Sequence, residues 1–266
     1  MNVANGGTLI QNSTVVASSS LFAGTEIFGI SSTVTISNWS YIAVPLINGV
    51  GTNFGHLNLN WNPGVNWWNN QGLGTTRTIN GYLTVGTNCQ TFLDSSSSNI
   101  SITIGSNLTV NGKLQVKKSM PGTATLLVNG NGSIGAAGIF TGVFNGTGHF
   151  TFSITNLTTT AGGTFNGILD GIGNATITIN GVFISAGDFY GINAPLLLNN
   201  GVPAITMNSL SYTRGTFMAS YAHNVNGTAV VNILGNATVA FTVATDNIKL
   251  LGLSNINGNN VTTKLN

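Results

Sequence analysis

The chain has 266 residues, enough to bury a full hydrophobic core, and its 42% hydrophobic content excludes disorder, which pairs low hydrophobicity with high net charge. Only 5% of residues are Asp, Glu, Lys or Arg, for a net charge of +2, where an ordinary soluble domain is about 25% charged; the polar surface must be built from Asn, Ser, Thr and Gly, which put little repulsion between copies. Seven Lys and Arg residues cannot neutralise the run of phosphates on which nucleic-acid affinity rests, so no nucleic-acid partner is expected.

The opening stretch, "MNVANGGTLIQNSTVV", has no positively charged n-region, and the first basic residue is Arg77. Export is therefore expected to follow removal of an upstream signal or release within a virus particle. Alternation of period two then marks half-buried strands in chain order: "STVTISN" (32–38), "HLNLNW" (56–61), "NISITIGS" (99–106), "GHFTFSI" (148–154), "NATITI" (174–179) and "ATVAFTV" (237–243). Gly or a β-branched residue interrupts every candidate helix, so very little helix is expected. The longest apolar run, "YIAVPLI" (41–47), falls far short of the ~18 residues of a membrane helix, so no membrane span is expected.

Asn-Gly pairs punctuate the strands and are a strong hairpin signal, because both residues tolerate positive φ. At Asn180-Gly181 the apolar sets on the two arms differ in parity, which predicts a tight hairpin setting Ile177 and Ile179 against Ile184 and Val182. At Asn111-Gly112 the parities agree: Leu108, Val110, Leu114 and Val116 are all even. That leaves a bulged three-residue turn, the favoured expectation, or a chain that does not fold back there. The irregular spacing of the Asn-Gly pairs argues against a fixed period. The expected fold is thus all-β, an antiparallel two-sheet sandwich of jelly-roll type, with a β-solenoid as the alternative. One domain over 1–266 is expected. The alternative splits the chain at "SSSS" (95–98) into a part over 1–94, with all four tryptophans, and a hairpin-rich part over 99–266.

Motifs for chemistry are sparse. "GNGSIG" (130–135) matches the dinucleotide fingerprint by letter, but neither a helix nor a suitably placed acid follows, so it is expected to be a turn and no cofactor is expected. The acids are Glu26, Asp94, Asp170, Asp188 and Asp246; a glycosidase needs two flanking a sugar bond, and Asp170 and Asp188 bracket the Asn180 hairpin and could approach one another at its base, although acids in turns usually hydrate or bond nearby backbone. His56, His149 and His223 stand singly, without metal or triad spacing. Catalysis is not expected, no residue is assigned to it, and no metal is called for. Lys113, Lys117 and Lys118 are expected on a solvated strand edge guarded against further pairing. Cys89 is the single cysteine, which rules out an intrachain disulfide.

"NWNPGVNWWNNQG" (60–72) places Trp61, Trp67 and Trp68 in an Asn-rich loop. Aromatic faces beside amides suit sugar rings, so these three are the candidate sugar-binding residues, against the plainer expectation that they plug one end of the fold or a subunit contact. Asn-x-Ser/Thr sequons stand at Asn12, Asn38, Asn99, Asn107, Asn131, Asn145, Asn156, Asn174, Asn226, Asn236 and Asn260; composition accounts for most of them, and only outward-facing ones could carry glycan.

"SNLTVNGKLQV" (106–116) resembles the strand repeats of phage and viral fibre proteins, and the charge-poor, Asn/Thr/Gly/Ser-rich whole is similar to archaeal extracellular filament subunits with jelly-roll folds. The resemblance implies a structural, self-assembling protein of a virion surface or extracellular filament. In such filaments an N-terminal segment often completes the next subunit's sheet, a role that "GTLIQNSTVV" (7–16) could fill by strand donation. The expected function is therefore non-enzymatic self-association into a homo-polymer or homo-oligomer, extracellular or on a virion. A carbohydrate-binding surface module, with glycans as partners, is the alternative.

Overall fold

The structure, a computed structural model, describes residues 2–12, 27–37, 53–60, 68–69, 76–94, 97–118, 121–194, 201–222, 230–239, 247–249 and 262–265. The described residues contain strands and no helix, as the alternation predicts, and each of the six alternating segments contains a strand. The sandwich is corrected, however. Every described strand pair is parallel, in a fourteen-stranded sheet, an eight-stranded sheet and a two-stranded one. The fold is a β-solenoid, the alternative of the sequence analysis.

One coil runs along a strand of the broad sheet, turns a corner, runs along a shorter strand of the second sheet, and returns one level up. The central coils show this in order: Ala124–Ile134 then Ile139–Phe144, Phe150–Thr159 then Thr164–Leu169, Ala175–Ser185 then Asp188–Ala194, and Pro203–Tyr212 then Thr216–Ala222. Partners on these central coils lie 24 to 28 residues apart in sequence. Sheet pairing continues across Ser95–Ser98, since Ile100–Ile104 pairs with Thr76–Ile79 and Lys113–Lys118 with Gln90–Asp94.

The Asn-Gly pairs do not reverse the chain. The hairpin expected at Asn180-Gly181 is absent: Ala175–Ser185 is one strand passing through that pair, and its register with the next coil shifts by a bulge between Ile179 and Val182. The inward set keeps its parity through the bulge, with Ile177, Ile179 and Phe183 buried, while Val182 and Ile184 are 37% and 48% exposed; the change of parity in the apolar residues marks outward-facing side chains, not the second arm of a turn. At Asn111-Gly112 the chain turns a corner from Leu108–Val110 in the broad sheet to Lys113–Lys118 in the second. Leu108, Val110, Leu114 and Val116 are all buried in one core, so parity is kept because the chain bends around its own interior. "GNGSIG" is likewise no turn, since Gly130 to Ile134 lie inside the strand Ala124–Ile134, bulged between Val128 and Asn131.

The core is built as columns. Phe140, Phe165, Phe189 and Phe217 stack at centroid spacings of 4.8, 4.9 and 5.0 Å with ring planes within 10°, continuing the register of four successive short strands. Each ring contributes the burial of a Phe side chain, about 1.5–3 kcal/mol, plus about 0.5–1.5 kcal/mol per stacked pair. Two residues on from the first two rings stand Gly142 and Gly167. A Cβ at Gly142 would collide with the Phe150 ring from the opposite sheet, and one at Gly167 with the Gly191 carbonyl and then Ile177. Small residues here let the two sheets close over large side chains.

Phe165 has a ring above and below it, so Phe165→Ala leaves a cavity that neither neighbour can fill. We expect it to lower stability by about 3–5 kcal/mol, whereas Thr178→Ala, half-buried on the outer face, should stay within about 0.5 kcal/mol. Denaturant unfolding followed by far-UV circular dichroism distinguishes the two.

Candidate functional site

Asp170 and Asp188, the two acids singled out above, are kept apart. Asp188 opens the strand Asp188–Ala194, and its carboxylate accepts a hydrogen bond from the Thr216 amide at 2.8 Å. Asp170 follows the strand Thr164–Leu169 with φ of 52°, and its amide donates to the carbonyl of Asn193, at the far end of Asp188's own strand. At about 3.3 Å per residue that places the two roughly 15–20 Å apart, beyond the roughly 5–9.5 Å of a glycosidase pair. Each borders a different surface cavity: Asp188 with Arg214 and Gly162 one of about 470 Å³, Asp170 with Asn145 and Ile172 one of about 320 Å³. The approach of Asp170 to Asp188 that a hairpin at Asn180 would have allowed does not occur, because that segment is a continuous strand.

The two described histidines each accept a backbone hydrogen bond. His56 Nδ1 accepts from the Tyr82 amide, with the two rings stacked at 4.3 Å, and His149 Nδ1 accepts from the Asn174 amide at 2.9 Å. His223 lies outside the described residues, and among the described residues no three metal-ligating side chains cluster. Cys89 is buried in the core. Trp61 and Trp67 lie outside the described residues; Trp68 pairs through its backbone with Thr91, in the strand Trp68–Asn69 at the rim of the second sheet. No helix among the described residues is long and apolar enough to cross a membrane.

The lysine cluster is corrected. Lys113–Lys118 is an interior strand, flanked by Gln90–Asp94 and Ile139–Phe144, and so guards no edge. Lys117 sits in register between Asp94 and Val143; its side chain is 0% exposed, and its Nζ lies 3.4 Å from Asp94 Oδ2 and donates to the Ser98 carbonyl at 2.6 Å. Lys118 Nζ stands 4.8 Å over the Phe92 ring. Arg77 is buried as well, and desolvation holds its pKa below the ordinary value for arginine. Among the described residues, two cations, Arg77 and Lys117, and one acid, Asp94, are thus inside the protein rather than on its surface.

The sequons have a geometric origin. A strand residue and the one two places on face the same side, and the coils stack these pairs: Asn107 and Thr109, then Asn131 and Ser133, then Asn156 and Thr158, lie in register on three successive coils. Their amides form a ladder. Asn107 Oδ1 accepts from the Asn131 amide N–H, Asn131 Oδ1 from Asn156 Nδ2 at 2.8 Å, and Asn156 Oδ1 from the Val182 amide N–H. Asn99 and Asn174 accept in the same manner from the Thr123 and Val202 amides. Asn99, Asn107, Asn131, Asn145, Asn174 and Asn236 are exposed, and Asn156 is half-buried with its amide nitrogen engaged. Asn12 ends the strand Thr8–Asn12; Asn38, Asn226 and Asn260 lie outside the described residues.

What sequence reasoning did not place is the solenoid's open end. Thr8–Asn12 is the first strand of the broad sheet and pairs with Thr33–Ser37; among the described residues no strand pairs with its other edge. It therefore belongs to its own sheet, while 13–16 of the expected donor segment 7–16 lie outside the described residues. At the other end of the same sheet stands Thr262–Leu265, paired with Val230–Ile233. Three of the exposed large apolar residues belong to the first two coils: Ile10 (63% exposed), Ile27 (59%) and Ile30 (64%). Comparison with protein-family models, curated proteins and solved structures finds no match.

The Lys117–Asp94 pair gives a direct test of the interior. Lys117→Met should remove the ion-pair partner of a buried carboxylate and destabilise by about 3–5 kcal/mol, while adding Asp94→Leu to the same chain should restore most of that loss. Thermal melts of both single variants and the double variant, compared as a cycle, measure the coupling.

Proposed function

We propose that this chain is a structural, non-enzymatic subunit of a virion surface or extracellular filament, and that its copies associate end to end by continuing one another's parallel ladder. The observation that carries this is the pair of strand edges at opposite ends of the broad sheet, Thr8–Asn12 and Thr262–Leu265, which run in the same direction. An unpaired parallel edge is a template for another strand, and the two ends are different surfaces. A head-to-tail contact between them is heterologous and builds an open filament rather than a closed dimer. Ile10, Ile27 and Ile30 near the first edge supply apolar area to such a contact, and a surface with so few charges opposes it weakly.

The exposed sequon asparagines would place any glycan on the lateral face, away from the ends. The wide separation of Asp170 from Asp188 and the structural bonds of His56 and His149 support the non-enzymatic part of the proposal.

Sedimentation velocity and negative-stain microscopy of the full chain, over a hundredfold range of concentration, should show concentration-dependent end-to-end particles. Ile27→Lys combined with Ile30→Lys should shift the material to monomer while leaving the circular dichroism spectrum unchanged. A wild-type chain that stays monomeric throughout that range would refute the proposal.

A further inference from the structure

The outer face of the broad sheet carries a two-dimensional grid of hydroxyls that end-to-end association does not use. On successive coils Ser101, Thr125, Thr151 and Thr176 lie in register. Two residues along, and so on the same face, Thr103, Leu127, Ser153 and Thr178 form a second row. The next coil adds Ala204 and Thr206 at the same two places. All of these positions are half-buried or exposed, while the residues between them, Ile102, Leu126, Phe152 and Ile177, are buried in the core. No acidic or basic residue occurs in either row across these coils.

We propose that this grid binds a crystalline water lattice, that is, a face of ice. Strands stack at about 4.8 Å and same-face residues recur at about 6.6 Å along a strand. Oxygens hydrogen-bonded at about 2.75 Å in a tetrahedral network recur about every 4.5 Å within a layer and about every 7.3 Å across layers. The two lattices agree to about a tenth in each direction, a mismatch that small adjustments of hydroxyl position absorb over a few coils. Threonine suits the task because its β-branched side chain is stiff about χ1 in a strand. Its hydroxyl and methyl are thus held in place before binding, and little conformational entropy is lost on contact. The absence of charge matters equally, since an ice lattice has no place for ions. A crystalline polysaccharide is also uncharged and hydroxyl-rich, but its sugar rings present C–H faces that aromatic side chains cover best, and neither row contains an aromatic residue across these coils.

The test uses the full chain made in a bacterial cytoplasm, so that the sequons at Asn99 and Asn174 beside the grid carry no glycan. Ice grown slowly from a dilute solution should take up the wild-type protein, and ice recrystallisation should be suppressed. Thr151→Lys with Thr176→Lys should reduce the fraction in ice at least tenfold. Thr164→Lys on the other sheet, where Lys113 already occupies the same row two coils earlier, should leave uptake unchanged. Circular dichroism and melting temperature confirm that all three chains fold alike. Exclusion of the wild type from ice to the same extent as serum albumin overturns the proposal, as does equal uptake of the double variant. Adsorption to powdered crystalline cellulose or chitin without uptake into ice also overturns it, and would assign the grid to a sugar lattice.

Discussion

The structure depends on parallel, in-register stacking of one coil on the next. Because each strand lies about 4.8 Å above its predecessor, a side chain's nearest neighbours are the residues at the same place in the coils before and after it. Every position therefore becomes a column, and a column is stable only if its members tolerate one another at that spacing. Phenylalanine does so by stacking, as Phe140, Phe165, Phe189 and Phe217 show. Asparagine does so by passing hydrogen bonds upward, as Asn107, Asn131 and Asn156 show. Glycine at 142 and 167 does so by leaving room for the opposite sheet. Stability then sums over neighbouring coils rather than over one closed core.

The same constraint accounts for the scarcity of charge. Like charges in a column would face each other at about 4.8 Å in every coil, each pair costing about 1 kcal/mol even in water and more where the sheet is partly dry. A column of lysines is thus self-defeating, whereas a column of threonines or asparagines is not. Where two charges do share a column they are opposite in sign: Asp94 lies directly beneath Lys117, and Val143 continues the column above them. A charge-poor composition thus suits the stack itself, independently of any attraction between copies, and it also weakens whatever repulsion would keep copies apart.

The strands and the absence of helix were legible in the sequence, because period-two alternation depends only on local geometry. The direction of pairing was not. An Asn-Gly pair tolerates positive φ equally in a hairpin, a corner or a bulge, and the structure places Asn111-Gly112 at a corner and Asn180-Gly181 within a bulged strand. A usable signal lay elsewhere. Gly138-x-Phe140-x-Gly142, Gly163-x-Phe165-x-Gly167 and Gly187-x-Phe189-x-Gly191 recur once per coil, and the sequon asparagines 107, 131 and 156 recur with the same step. The period is masked in the Asn-Gly count because those pairs fall at different places in different coils. The interior ion pair was hidden for another reason: Lys117 looks solvated until Asp94, a full coil earlier in the chain, is stacked against it.

A stack of this kind has no internal rule that ends it. A closed barrel satisfies its last strand with its first, but in a solenoid each strand's second edge is satisfied only by another coil. Such folds therefore need a terminal coil that breaks the column pattern, or a partner that continues it. Here the first coil keeps the pattern: Thr8–Asn12 pairs residue for residue with Thr33–Ser37, Leu9 packs against the core, and Ile10 stands outward in register with Thr35. Nothing in that strand resembles the charged, proline-bearing or bulged edge with which proteins commonly block further pairing. Among the described residues, the interaction that joins coil to coil is thus presented unaltered by Thr8–Asn12, and it is this edge that the proposed end-to-end association would use.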